Sequence, residues 1–66
     1  MKLLEGHTWI GRRIRRVFDE STVTDGVLVG YWPSTEEDLE SWHVIHEDNE
    51  EEDLEKGEVE EAFKQL

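Results

Sequence analysis

The alternation of apolar and polar residues is cleanest over residues 42–46. There Trp42, Val44 and His46 fall on one face of an extended chain, and His43 and Ile45 fall on the other. Asp48 and Asn49 follow. Both residue types tolerate left-handed backbone angles, so they predict a tight turn and a short return strand ending at Leu54. Upstream, residues 23–32 read as the longest strand. Val23, Val27, Val29 and Tyr31 share one parity, and Leu28, Gly30 and Trp32 share the other. Gly26 and Gly30 inside it predict strong bending or the close approach of another segment, and Pro33 ends it. Residues 9–18 carry two periods at once. Ile10, Ile14, Val17 and Phe18 have a helical spacing, yet Ile10, Ile14 and Phe18 also share one strand face with the stems of Arg12 and Arg16 between them. Gly11 and the β-branched and aromatic content favour a strand with a bulge at Gly11.

Between the second and third strands, residues 34–41 form an acidic loop. Ser34 or Thr35 followed by Glu37 or Asp38 has the form of a capping box and predicts one helical turn. Lys56-Gly57 is expected to break the chain. After it, Val59, Ala62, Phe63 and Leu66 recur at i, i+3, i+4 and i+7, the pattern of a short amphipathic helix. Glu58, Glu60 and Glu61 near its start and Lys64 near its end complement the helix dipole. Alone, such a helix is too short to persist, so it must pack on the sheet. Residues 1–7 have little pattern and read as a frayed end. The expected fold is mainly β: a small SH3-like antiparallel barrel of four to five strands with a short C-terminal helix. Its parts are a flexible N-terminus over 1–8, the barrel over 9–55, and a helical segment over 56–66 packed on the barrel.

The 66 residues make one domain with a thin core, since a chain of this size buries only about 60% of its unfolded surface. Cysteine is absent, which excludes disulfides and thiolate metal sites. Apolar runs are too short to cross a membrane. The net charge of −11 is unevenly spread, near neutral over residues 1–33 and strongly negative from residue 34 onward. Long-range attraction therefore favours cationic partners and opposes nucleic acid. Arg12, Arg13, Arg15 and Arg16 have no second basic cluster and are expected to pair across the sheet with the run Glu50 to Asp53. His43 and His46 point to opposite faces and cannot easily share a metal. The tract from Asp48 to Asp53 lacks the glycine and spacing of a calcium loop. No nucleophile stands at a suitable spacing from a base, and no glycine-rich phosphate loop is present, so neither an enzyme nor a cofactor is expected.

Three segments together resemble a Tudor-like domain of the Royal group. They are Ile10-Gly11-Arg12-Arg13-Ile14-Arg15-Arg16-Val17-Phe18-Asp19, then Asp25-Gly26-Val27-Leu28-Val29-Gly30-Tyr31, then the hairpin from Trp42 to Leu54. The hairpin is the most specific, and the likeness covers residues 9–54. Asn49 stands where the family has a turn glycine, and His46 where the hairpin usually ends in an aromatic residue. The resemblance implies a small bent barrel that binds a basic or methylated histone-tail peptide. Its aromatic cage would draw on Phe18, Tyr31 or Trp32, and His46, with Asp48 as the acidic member. A methylated ammonium suits an aromatic face because it sheds water easily. That reading implies a chromatin protein, so of the two expected locations, nuclear or cytoplasmic, the nuclear one is preferred. The rival expectation is a structural or scaffolding domain that contacts another protein without reading a methyl mark.

Overall fold

Four antiparallel strands pair in chain order in the computed structural model, which describes residues 1–5 and 7–66. They are β1 (Arg13–Asp19), β2 (Thr22–Trp32), β3 (Ser41–His46) and β4 (Glu51–Glu55), followed by helix α1 (Lys56–Lys64). The protein is mainly β, and the sheet curls into a half-barrel. Its two edges, β1 and β4, both pack against α1, so the helix closes the open side. The core is Ile14, Leu28, Trp42, Val44, Leu54, Val59 and Ala62.

The β3–β4 hairpin follows the alternation in its sequence. Trp42, Val44 and His46 are all buried, and the turn falls at residues 47–50. Asn49 takes a φ of 70° and donates its N–H to the His46 carbonyl at 2.9 Å. Asp48 Oδ1 accepts the Glu50 N–H at 3.0 Å. A three-residue loop with a left-handed residue at its end is one of the common ways to close a twisted hairpin, and asparagine suits that place.

The strand β2 departs from a simple alternation. Leu28 faces Val44 and Gly30 faces His43, which leaves Val29 as an extra residue. This bulge resets the parity, so Leu28 and Tyr31, three residues apart, both turn inward, opposite Val44 and Trp42. Val23 and Val27, expected to share a face with Tyr31, lie on the outer surface instead. Gly26 is needed for close approach. A Cβ there would stand 2.8 Å from His46 Nδ1, 2.9 Å from Val44 Cγ1 and 3.0 Å from the Ile45 carbonyl oxygen.

Five expectations are corrected at the edges of the fold. β1 begins at Arg13 rather than Trp9, because Gly11 takes a φ of 94° in a turn rather than a strand bulge. Trp9 then folds back on the aromatic core. The segment 1–8 is tied to the sheet, apart from Gly6, which lies outside the described residues. Leu3 and Tyr31 exchange backbone hydrogen bonds of 2.7 and 2.8 Å, on the edge of β2 that β1 has left. Helix α1 begins at Lys56, so Gly57 is in its first turn and does not break the chain. Glu55 and Glu58 form a reciprocal capping box, the glutamate counterpart of the serine and threonine form. Leu66, expected on the apolar face, lies beyond the helix and is exposed. In the loop 34–41, Thr35 Oγ1 does accept the N–H groups of Glu37 and Asp38, at 3.2 and 3.0 Å, but no helical turn forms.

The arginines also divide differently from the expected cross-sheet pattern. Arg16 alone reaches the acidic strand, with Nε 3.3 Å from Glu52 Oε2. Arg15 makes a two-point pair with Asp25, at 2.7 and 3.1 Å, and Arg13 lies 3.7 Å from the same carboxylate. The pair lowers the Asp25 pKa, chiefly through the Arg15 hydrogen bond, and raises that of Arg15. Arg12 stacks on Phe63, 3.9 Å from the ring centroid.

Candidate functional site

The end of the half-barrel beside the β3–β4 turn holds a hollow of about 290 Å³. It is lined by Phe18, Thr24, His46, Asp48, Glu50, Glu51 and Glu52. Each wall has a local cause. Phe18 is the unpaired residue of a second bulge, between the pairs Val17–Val23 and Asp19–Thr22, and such bulges re-aim a side chain. Its ring is 55% exposed. His46 ends the inward-facing row of β3 and is only 5% exposed. Asp48 and Glu50 come from the turn. Glu52 lies opposite Val44 on β4, so the register turns it inward while its neighbour Glu51 faces out.

A polar chain that starts from buried His46 stands behind the hollow. His46 Nε2 lies 2.6 Å from Glu52 Oε2. A carboxylate only accepts, so Nε2 donates to Glu52, and the buried Nδ1, facing Gly26, has no hydrogen-bond partner among the described residues. Arg16 completes the chain. It contacts Glu52 and, at 3.8 Å, Glu58 at the start of α1. Its guanidinium also sits 5.5 Å from the centroid of Phe18. The protein thus places one of its own cations against the exposed ring.

Three of the five candidate cage residues meet here: Phe18, His46 and Asp48. The other two do not. Tyr31 belongs to an aromatic cluster with His7, Trp9, Trp42 and Phe63, whose neighbouring centroids are 4.5–5.5 Å apart. His7 Nδ1 accepts the Trp9 N–H at 3.1 Å and the Trp42 indole N–H at 3.4 Å. The Tyr31 hydroxyl donates to Glu40 at 2.8 Å, and that bond raises the phenol pKa. Trp32 is half-exposed at the far end of β2, in the row with Ser41 and Glu55. From Val23 to Trp32 the strand covers on the order of 25–30 Å. A cage of several rings is therefore not assembled.

Sequence reasoning missed Glu52 and Arg16 as members of this end of the barrel. The signal was present: counting back from the turn puts residue 52 opposite residue 44, on the inner face. The outer face has its own polar group. His43 Nδ1 and Nε2 each lie 2.7 Å from a carboxylate, Asp53 and Glu51, and these bonds raise its pKa, that of Asp53 most.

Compared with known protein families, with curated proteins and with solved structures, the chain matches none.

Proposed function

We propose that this chain is a non-enzymatic interaction module that seats a basic side chain of a partner segment in the hollow beside Phe18. The observation that carries the reading is the exposed Phe18 ring in a rim of carboxylates, already approached by the chain's own Arg16. A partner's cation would take the open side of the ring, steered by the acidic half of the chain. This agrees with the Tudor-like resemblance and extends to histone tails, which are basic segments. With one phenyl ring and a buried histidine in place of a full cage, the aromatic contribution is about 0.5–1 kcal/mol. Discrimination of a methyl mark should therefore be slight.

A nuclear magnetic resonance titration with a histone-tail peptide, unmodified and lysine-trimethylated, tests the reading. The amides of Phe18, Asp48 and Asn49 should shift with both peptides, at affinities within about threefold of each other. Silence of those amides at millimolar peptide rejects the proposal. A scaffolding role is the second reading. It is favoured by the exposed cross-strand pairs Val17–Val23 and Val27–Ile45, which leave apolar surface on the outer face.

A further inference from the structure

Lys2 does not extend into solvent. The Leu3–Tyr31 hydrogen bonds hold its segment against β2, and its side chain crosses the outer face of the sheet. Its stem runs over Gly30, where a Cβ would stand 3.0 Å from Lys2 Cδ and 3.1 Å from Lys2 Cγ. The missing side chain at residue 30 thus gives the stem its bed. The ammonium ends 6.0 Å from the centroid of the Trp32 ring.

The register carries this lane outward to acid. Gly30 lies beside His43 and then Asp53, and Trp32 lies beside Ser41 and then Glu55. Asp38, Asp53 and Glu55 line a hollow of about 460 Å³ with Trp32, Pro33 and Leu39. Among the described residues Lys2 is in no ion pair, so no carboxylate clamps it in place. A glycine bed for methylenes, an aromatic face near the tip and carboxylates beyond suit a compact ammonium on a long flexible stem. Lys2 shows that a lysine stem and ammonium fit this lane.

We propose that this lane is a second binding site, which takes a lysine side chain of a basic partner segment, and that Lys2 fills it in the free protein and must leave before the partner enters. The site is separate from the hollow beside Phe18, and it stands or falls without it. The test uses the full chain, titrated with acetyl-tetralysine-amide. The Gly30 amide and the Trp32 indole N–H are followed by nuclear magnetic resonance.

Tetralysine should shift both reporters in the natural chain. In Lys2→Ala, tetralysine should bind roughly 3–10-fold tighter at these reporters, because the lane no longer has to be vacated. Gly30→Ala should weaken the Trp32 response at least fivefold, and Trp32→Ala should weaken the Gly30 response if the alanine at 30 prevents folding. Unchanged or weaker tetralysine binding in Lys2→Ala overturns the proposal. Movement at Phe18 with silence at Gly30 and Trp32 also overturns it, while leaving the Phe18 hollow standing.

Discussion

Gly26→Ala probes the tightest point of the fold, where β2 passes under His46. The added Cβ would meet His46 Nδ1 at 2.8 Å, Val44 Cγ1 at 2.9 Å and the Ile45 carbonyl at 3.0 Å. Two of these atoms belong to buried side chains and the third is backbone, so none can swing away. Overpacking of a full core costs about 1–3 kcal/mol, and the upper half of that range is expected here. A core of this size supplies about 3–5 kcal/mol in total, so the variant should keep roughly half its stability. The corresponding fall in Tm is roughly 8–24 °C. Urea unfolding followed by tryptophan fluorescence measures the change, with buried Trp42 among the reporters. The cause is isolated by His46→Val, which removes the atom at 2.8 Å. In the double variant the loss should be smaller than the sum of the single losses by about 1 kcal/mol, beyond the ~0.5 kcal/mol scatter of independent sites. A Gly26→Ala chain within 0.5 kcal/mol of the natural one, or a strictly additive cycle, refutes the reasoning.

Leu54→Ala removes a fully buried side chain paired with Trp42 and should cost roughly 2–5 kcal/mol, enough to leave much of the chain unfolded at 25 °C by circular dichroism. His43 has a raised pKa in the folded state, so its two carboxylate bonds stabilise fully below about pH 6.5 and are lost as pH rises through the elevated value. Stability of the natural chain should therefore decline with rising pH in that window, and His43→Gln should flatten the decline in urea midpoints measured from pH 5 to 9. Asp25 is the opposite case. Its lowered pKa makes its contribution present above about pH 4 and lost as pH falls further, so Asp25→Asn should lack that part of the acid unfolding curve.

The hairpin was legible because one face of it is buried and its turn chemistry agrees with its alternation. Trp42, Val44 and His46 could share no other face once Asp48 and Asn49 fixed the turn. The β2 strand was legible as a strand but not in its facing, because a bulge leaves no signature in a run of valines. The parity of Val23, Val27 and Val29 gave no warning that the pattern resets at Val29. Gly11 was read as a bulge within a strand and Gly57 as a break in the chain, whereas one makes a turn and the other sits in the first turn of a helix held by Glu55 and Glu58. For the site, His46 and Asp48 are neighbours in the hairpin, and Phe18 was joined to them only by the Tudor-like resemblance. Tyr31 and Trp32 could not be placed, because the inward turn of Tyr31 depends on the same bulge. The opening segment was misread because two backbone hydrogen bonds at Leu3 carry no sequence pattern at all.

The most direct test of the Phe18 hollow compares the natural chain with Phe18→Ala by titration calorimetry at low salt. The ligand is an arginine-alanine hexapeptide. Loss of the exposed ring should weaken binding about 2–6-fold, the equivalent of 0.5–1 kcal/mol, with folding unchanged. Equal affinity in the two proteins would mean that the hollow beside Phe18 does not seat the cation.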